Sequence, residues 1–578
     1  MSANSDERKA FYASLGEYQS AVDGALAHIK DEEVMQRIRS HDHTVWKDDP
    51  AEISNRLGWL HSPEVMIDAV PDINAFAGEI RASGMTHALL MGMGGSSLAP
   101  EVFRFTFGVR EGFLDLMVLD STDPGAVRDY AARCDPEKTL FIVSTKSGGT
   151  VETMSFMKYF YNSVADRLGK NQAGRRFVAI TDPGSGLEET AKTLHFRKIF
   201  LNDPDIGGRY SALSYFGLVP AALVGVDIDR LLRRAMAMAS QTEDSPGPFE
   251  GDDSAARLGA VMGQLALIGR DKLTLVMTSS LGPFGAWVEQ LLAESTGKEG
   301  KGILPVDGEV PAEPDVYAGD RIFVYMQLEG EKEHADRIRA IEDSGQPVVH
   351  IPLGDLYDLG GEFFRWELAT AVAGRLLEIN PFDQPNVESA KVLARQMVDA
   401  YQKEGELPEL RPISEIDDIW IYGDESVKGP DVLNDFLSQA HPGENEASGR
   451  SYVSIQAYVR PSAGAWNALQ AFRSGIRIKC RLATTLGYGP RFLHSTGQLH
   501  KGDAGHGLFI QITADMPEDA NIPDRAGEED SSISFGVLKT AQALGDRQAL
   551  MDAGRKVIRF HTGEDIVEGL KKLSEWLD

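Results

Sequence analysis

Short apolar segments alternate with helical segments over most of this chain of 578 residues, and this alternation limits the possible folds more than any other feature. One series of apolar segments begins near His87, and a second begins near Ser254. Each segment is too short for an ordinary helix, which favours buried strands. Strands that alternate with helices are typical of parallel sheets. The sequence therefore predicts an α/β protein with more than one parallel-sheet domain.

Polar stretches divide the chain into predicted parts. One such stretch follows residue 240, another follows residue 404, and further strands and helices are predicted after it. The predicted parts are an N-terminal helical segment at 1–60, a first α/β domain at 61–245, a second at 246–404 and a C-terminal α/β domain at 405–578.

Charge and cysteine content argue against several classes of protein. Lys and Arg number 58 against 87 Asp and Glu, a formal net charge of −29, which disfavours nucleic acid and anionic membranes as partners. Cys134 and Cys480 are too few for a disulfide framework, and the N-terminus has no apolar signal segment. No stretch reaches the roughly 20 apolar residues of a membrane-spanning helix. We expect a cytoplasmic protein with no membrane segment and only local anion sites.

The stretch Thr139–Thr153 combines a strand pattern with a hydroxyl-rich loop. The apolar run Leu140–Val143 precedes the loop, and a helical pattern begins at Val151. The loop contains hydroxyl groups, one cation and two glycines, at Ser144, Thr145, Lys146, Ser147, Gly148, Gly149 and Thr150. Unpaired N–H groups at the start of a helix favour anions, so the loop is a candidate phosphate site. An ordinary capped strand-to-helix turn is the alternative.

Other polar residues follow predicted strands or end predicted helices. The glycine-rich turn before Ser96 resembles a dinucleotide-binding turn, but Ser97 stands where the third glycine is needed. Arg209 follows two glycines on a tight turn, where it could serve an oxyanion or close a salt bridge. Glu294 lies near a helix end and could act as a base or pair with Lys298.

A glycine-rich stretch in the C-terminal region carries a cluster of histidines. It reads TLGYGPRFLHSTGQLHKGDAGHG and contains His494, His500 and His506. Because this stretch has no packing periodicity, we predict a functional loop and not part of the core.

Five motifs together resemble the phosphoglucose isomerase family. They occur over residues 50–400 in the family's order and read MGMGGSSLAPEV, STKSGGTVET, GGRYS, AESTGK and INPFDQPNVESAK. The segments ESTGKEGKGILPV and GYGPRFLHSTGQLHKG most resemble the isomerase half of bacterial transaldolase/isomerase fusions. The resemblance implies two sugar isomerase (SIS) domains of three-layer αβα architecture and interconversion of glucose 6-phosphate with fructose 6-phosphate. It implies a small phosphosugar as ligand, no cofactor or metal, and a homodimer by family analogy.

The resemblance also implies roles for individual residues. The positions implied to bind the sugar phosphate are Ser96, Thr145, Lys146, Ser147 and Thr150. It implies that Arg209 stabilises the enediolate and that Glu294 is the catalytic base. Gln384 and Lys391 match the signature FDQxxVExxK, whose lysine assists with the sugar ring. Two departures are Gly149, where many members have Thr, and Pro385-Asn386 before the signature valine.

The family's ring-opening histidine has no evident equivalent in its usual place. Between Glu294 and the FDQ signature lie only His334 and His350, in segments without the family motif. We therefore predict that the C-terminal region supplies this group, with His500 as first choice, His494 second and His506 third.

Two other functions fit parts of the pattern. A non-catalytic sugar-phosphate-binding regulator would keep the hydroxyl loop but would need neither Glu294, Arg209 nor Lys391. An isomerase for another phosphosugar, such as mannose 6-phosphate, would use the same enediolate chemistry.

Overall fold

The computed structural model describes residues 11–243, 253–408, 410–424, 427, 431–444 and 448–577. The predicted boundary at residue 245 lies outside the described residues. Within these ranges, no helix is both long and apolar enough to cross a membrane.

The N-terminal segment is a structural part of the second domain. It was predicted to be helical, but it begins with a strand that pairs antiparallel with Val348–Leu353 of the second sheet. This pairing covers a sheet edge whose backbone groups would otherwise be exposed. The elements that precede the first strand of the first sheet are β1 (Tyr12–Ser14), α1 (Gln19–Asp31), α2 (Val34–Arg39), α3 (Ser62–Ile67) and α4 (Val70–Ala82).

The first domain contains the predicted parallel sheet, with strand order β3-β2-β4-β5-β6. Its strands are β2 (His87–Met91), β3 (Asp115–Leu119), β4 (Thr139–Ser144), β5 (Phe177–Thr181) and β6 (Lys198–Leu201). Its helices are α5 (Leu98–Phe107), α6 (Pro124–Arg133), α7 (Val151–Leu168), α8 (Lys170–Ala173), α9 (Gly186–Thr193), α10 (Tyr215–Val224) and α11 (Ile228–Glu243).

Side chains of the central strand β2 point alternately into two cores. Ala88 and Leu90 belong to one hydrophobic cluster, and Leu89 and Met91 belong to another. Successive residues of a strand face opposite sides of the sheet, so both faces of this sheet are covered. The predicted three-layer αβα arrangement is confirmed.

The second domain repeats this plan and shares a core with the first. Its sheet has the order β1-β10-β9-β7-β8, and the rings of Phe103 and Phe363 meet across the two domains at 5.3 Å. The strands are β7 (Lys272–Met277), β8 (Leu304–Val306), β9 (Arg321–Leu328) and β10 (Val348–Leu353). The helices are α12 (Ser254–Leu267), α13 (Phe284–Thr296), α14 (Ala335–Asp343), α15 (Leu359–Leu376) and α16 (Val387–Glu404).

The C-terminal domain has its own mixed sheet, of order β11-β12-β18-β15-β13-β14. Its strands are β11 (Ser414–Ile416), β12 (Ile419–Tyr422), β13 (Tyr452–Tyr458), β14 (Ala483–Tyr488), β15 (Gly507–Ala514), β16 (Asn521–Ile522), β17 (Ile533–Ser534) and β18 (Lys556–Thr562). Its helices are α17 (Val432–Leu437), α18 (Ala463–Cys480), α19 (Gly497–Gly502), α20 (Phe535–Asp552) and α21 (Ile566–Glu575). The stretch predicted as a histidine loop thus includes β14 and the buried helix α19.

The C-terminal domain packs onto the carboxyl ends of the first sheet. After β3, Asp123 pairs with Lys539 of α20 at 2.7 Å, and Thr122 donates a hydrogen bond to Gln542 at 2.8 Å. Helix α20 also packs against α16. Since loops at the carboxyl ends of parallel strands commonly form ligand sites, this packing covers the part of the first domain where a site is expected.

Candidate active site

A cavity of about 1020 Å³ lies where the three domains meet. It opens onto the loops that follow β2 and β4 and onto α13, α16 and the turn before α19. The predicted site residues that line it are Ser96, Thr145, Lys146, Ser147, Thr150, Arg209, Glu294, Gln384 and Lys391. The structure therefore brings together residues that are widely separated in the sequence.

The hydroxyl-rich loop after β4 folds back against the start of α7. The Oγ1 atoms of Thr145 and Thr150 are 3.0 Å apart, and Ser147 Oγ accepts a hydrogen bond from the Gly149 N–H at 3.2 Å. Gly148 has a φ of +69°, and a Cβ there would lie 2.3 Å from the main-chain nitrogen of Leu187. Only glycine fits this backbone at this position.

Lys146 adds a cation at the rim of the loop. Its ammonium group pairs with Asp182, at the end of β5, and donates a hydrogen bond to the main-chain oxygen of Pro204 at 2.8 Å. Burial raises the pKa of Asp182, although the nearby Lys146 opposes this rise. Ser96 lies on the other side of the loop, where its main-chain oxygen accepts a bond from Ser144 Oγ at 3.0 Å.

Arg209 is buried, and several hydrogen bonds hold its guanidinium in one orientation. It donates to Ser295 Oγ at 2.8 Å, to Gln384 Oε1 at 3.0 Å and to the main-chain oxygen of Pro381 at 2.7 Å. A further bond of 3.0 Å reaches the main-chain oxygen of Asp383. The predicted residues Arg209 and Gln384 therefore contact each other directly, and the FDQ signature supports the arginine.

Glu294 lies beside this guanidinium near the end of α13. Its Oε2 is 3.6 Å from Arg209 Nη1 and accepts a hydrogen bond from Gln290 Nε2 at 3.1 Å. Burial raises the pKa of Glu294, while the positive charge of Arg209 opposes the rise. A buried carboxyl group with a raised pKa is a stronger base than an exposed one.

Lys391 occupies the mouth of the cavity on α16. Its side chain is half-exposed, and its ammonium lies 3.9 Å from Glu388 one turn away. Burial raises the pKa of Glu294, and the charge of Lys391 opposes this rise. The same charge contributes to the lowered pKa of Glu152, so Lys391 lies within electrostatic reach of both carboxyl groups.

The structure corrects the predicted choice of histidine. His500 is 1% exposed, lies inside the C-terminal domain and does not line the cavity. Its ring nitrogens face Ser454 and Gln456, and burial lowers its pKa well below the ordinary value. His506 lines a different, smaller cavity. Of the three candidates, His494 alone lines the large cavity.

His494 forms a pair with an acid from the first domain. Its Nε2 is 3.0 Å from Oε1 of Glu152, which lies in the first turn of α7 and also accepts a hydrogen bond from Gln542 at 2.7 Å. Burial alone would raise the pKa of Glu152, but the nearby His494 outweighs it, and the pKa lies below the ordinary value. Glu152 is therefore a carboxylate at neutral pH, and it orients the imidazole.

Two of these cavity residues were missed in the sequence analysis. Glu152 lies inside the motif STKSGGTVET, where an acid in the first turn of a helix has the ordinary explanation of a favourable dipole interaction. Gln290 precedes Glu294 by four residues and so lies on the same face of α13, which is a signal that the sequence does contain.

A family model matches part of this chain. The model of phosphoglucose isomerase matches residues 68–303, which contain the hydroxyl loop, Arg209 and Glu294. Over these residues the chain is similar to the phosphoglucose isomerase family. A glucose-6-phosphate isomerase of Rubrobacter xylanophilus is 29% identical over 420 residues, covering 64% of this chain and 94% of that relative. One from Thermus thermophilus is 28% identical and covers 60% and 91%.

Two solved structures share the fold of this chain over about two thirds of its length. A hypothetical protein of Thermus thermophilus matches with a TM-score of 0.57 at 24% identity, over 67% of this chain and 99% of the other. A glucose-6-phosphate isomerase of Chlamydia trachomatis matches with a TM-score of 0.56 at 18% identity, over 67% and 87%.

Proposed function

We propose that this protein interconverts glucose 6-phosphate and fructose 6-phosphate through an enediolate intermediate. The observation that carries the proposal is the buried pair of Glu294 and Arg209, 3.6 Å apart in a cavity lined by the hydroxyl loop. A base beside a fixed cation is the arrangement that proton transfer between adjacent sugar carbons requires.

Glu294 moves the proton between the two carbons. Its carboxylate removes the proton from C2 of the open-chain aldose and returns it to C1, and the reverse reaction uses the same group. Burial, which raises the pKa of Glu294, strengthens it as a base. One carboxylate suffices because the two carbons are adjacent.

Arg209 stabilises the negative charge that develops on oxygen during this transfer. Its bonds to Ser295, Gln384 and Pro381 hold the guanidinium in place before the substrate binds. A cation that needs no reorganisation stabilises the transition state more than the bound substrate.

The hydroxyl loop binds the unreactive end of the substrate. The phosphate interacts with the hydroxyl groups and the loop backbone, and its charge is complemented by Lys146 and by the start of α7. Such anchoring holds the sugar carbons at Glu294 and lowers the entropic cost of the reaction.

His494 opens the sugar ring, assisted by Lys391. Ring opening needs a group that exchanges a proton with the ring oxygen, and histidine does this near neutral pH. The hydrogen bond of 3.0 Å between Nε2 and the Glu152 carboxylate supports this role. A carboxylate that accepts from one imidazole nitrogen sets the tautomer in which the other nitrogen can accept a proton.

Substitution of Glu294 by Gln tests the proposal. The variant keeps the size of the side chain but lacks the base, so kcat for conversion of fructose 6-phosphate should fall about 10³-fold or more, while calorimetric binding of the substrate persists. Asp399→Asn is the matched control, because Asp399 is an exposed carboxylate at the cavity rim. It should change kcat less than about twofold. A Glu294→Gln variant with near-normal turnover would refute the assignment.

The product of the reaction distinguishes the sugars. Fructose 6-phosphate offered to the enzyme should yield glucose 6-phosphate, detected with a coupled dehydrogenase. Formation of mannose 6-phosphate instead would assign a different phosphosugar to the same chemistry. Binding without any product would indicate a sugar-phosphate-binding regulator.

Three further expectations accompany the proposal. The enzyme acts in the cytoplasm, it has no nucleic acid or membrane as a partner, and it forms a homodimer by analogy with the family. Sedimentation velocity at micromolar concentration measures the last of these directly.

A further inference from the structure

The turn that carries His494 is attached to both other domains. From this turn, Arg491 pairs with Asp120 of the first domain at 3.0 Å and also contacts Glu101. From the second domain, Gln290 donates a hydrogen bond to the main-chain oxygen of His494 at 2.9 Å. Contacts from two domains therefore determine where the histidine lies.

The first domain also packs closely against this turn. A Cβ on Gly94 would lie 2.6 Å from the main-chain oxygen of His494 and 2.7 Å from Gln290 Nε2. The close approach of Gly94 therefore limits movement of the turn towards the loop after β2.

Helix α13 makes a second contact with the turn. The Oγ of Ser495, which is 4% exposed, donates a hydrogen bond to Oε1 of Glu289 at 3.2 Å. Glu289 is the neighbour of Gln290, and Glu294 follows one turn later on the same helix. Helix α13 thus carries the proposed base together with two side chains, Glu289 and Gln290, that contact the turn of the proposed ring-opening group.

We infer that Glu289 is a positioning residue for His494: through Ser495 it holds the turn against α13 and so sets the position of the imidazole relative to Glu294. The inference rests on the proposed function for its kinetic readout. Glu289 does not line the cavity, so any effect on catalysis is indirect, and the contact with Ser495 is the route that we propose.

The surroundings of Glu289 indicate that acceptor geometry matters more than charge. Burial and the neighbouring Asp307 raise the pKa of Glu289 to about 7, whereas Ser495, Arg491 and Arg473 oppose the rise. Near neutral pH both protonation states are populated, and either one offers a carboxyl oxygen to the Ser495 hydroxyl. A glutamine at this position should preserve the contact.

A double-mutant cycle with His494 tests the inference. Glu289→Ala should lower kcat about tenfold, since small misplacements of a reacting group are costly, and Ser495→Ala should lower it similarly. In a His494→Ala background, Glu289→Ala should change kcat less than twofold. Glu289→Gln should stay within threefold of the wild type. A tenfold loss in both backgrounds, or no loss in the wild-type background, would overturn the inference.

A matched control separates positioning from general destabilisation. Glu331 accepts a hydrogen bond from Ser280 in the second domain and does not line the cavity. Glu331→Ala removes a similar carboxylate–serine contact and should leave kcat within twofold of the wild type. An equal loss of kcat in Glu331→Ala and Glu289→Ala would contradict a specific effect on His494.

Histidine NMR gives a readout that does not need turnover. In protein labelled with ¹³C-histidine, the His494 ring signal is assigned by its absence from His494→Ala. Glu289→Ala should shift or broaden this signal, and Glu289→Gln should restore it. An unchanged His494 signal in Glu289→Ala would overturn the inference, whether or not the protein isomerises a hexose phosphate. Absence of isomerisation would refute only the proposed function.

Discussion

Two histidines six residues apart have opposite surroundings. The side chain of His494 lines the cavity and is 15% exposed, whereas His500 is enclosed by Phe492 and Phe509 and lies away from the cavity. Both belong to the same glycine-rich stretch, and their neighbours in sequence are similar. The difference arises because helix α19 begins after His494, at Gly497, and buries His500 within it.

Alanine substitutions should separate the two histidines. His494→Ala should lower kcat about 10²-fold with ring-closed substrate. His500→Ala leaves a cavity between aromatic rings and should lower the free energy of unfolding by about 2 kcal/mol, while kcat of the folded enzyme stays normal. Stopped assays and urea unfolding measure the two effects. A His500→Ala variant that is stable but inactive would contradict this assignment.

Buried acids at the junction of the domains should make stability depend on pH. Burial raises the pKa of Glu289 to about 7 and that of Asp307 to about 6. A raised carboxyl pKa means that the folded state binds the proton more tightly, so stability is greatest at low pH and falls as pH rises towards these values. Between pH 5 and pH 8, the free energy of unfolding should fall by about 2 kcal/mol less in Glu289→Gln than in the wild type. An equal fall in the free energy of unfolding in both proteins would contradict the raised pKa of Glu289 and would indicate that its carboxyl group contacts water.

At the scale of elements, the loop after β4 is the best-defined local unit. Its strand, its turn and the start of α7 were all visible in the sequence because each depends on neighbouring residues. Gly149, the one departure from the family pattern in the loop, has an ordinary φ, and a Cβ there would meet only Ser147 Oγ, at 3.8 Å. Gly148 is the position where the backbone demands glycine.

The two neighbouring glycines therefore form a matched pair for substitution. Gly148→Ala forces a Cβ to within 2.3 Å of the Leu187 backbone, and the loop must distort. We expect KM for the sugar phosphate to rise about tenfold or more with a smaller change in kcat, because the loop binds the unreactive end. Gly149→Ala should leave KM within about threefold of the wild type. Steady-state kinetics of both variants measure the difference, and similar KM values would argue against this loop as the phosphate site.

Helix α16 links the second domain to the third. The sequence places a boundary at its end, where Gly405 terminates the helix in a left-handed conformation. Gly545 of α20 approaches Ala390 and Ala394 so closely that a Cβ would lie 2.7 Å from the main-chain nitrogen of Ala394. The helix that carries Lys391 is therefore packed closely by the C-terminal domain.

At the scale of the whole molecule, two of the ion pairs that join the C-terminal domain to the first domain differ in character. Lys539 and Asp123 are both buried and lie 2.7 Å apart. Arg460 and Asp129 join the same two domains at 2.6 Å, but their side chains are 54% and 52% exposed. Burial makes the loss of one partner costly, whereas solvent screens the exposed pair.

Removing the cation from each pair should therefore have unequal effects. Lys539→Ala leaves the Asp123 carboxylate buried without its partner and should lower the free energy of unfolding by about 3 kcal/mol. Arg460→Ala should cost less than about 1 kcal/mol. Urea titrations followed by tryptophan fluorescence measure both variants. Equal costs would contradict the difference in burial between the two pairs.

The sequence by itself determined the parallel α/β sheets, the hydroxyl-rich loop and the resemblance to a family, because strand patterns, turns and motifs depend on residues close together in the chain. Only the tertiary structure decided which histidine reaches the cavity. It also decided that Glu152 and Gln290 contact this histidine. Glu152 and His494 are 342 residues apart, and nothing in the local pattern of either reports the other. Contacts of this kind depend on how complete domains pack, and that packing is set by the summed burial of their surfaces and by a few buried charges.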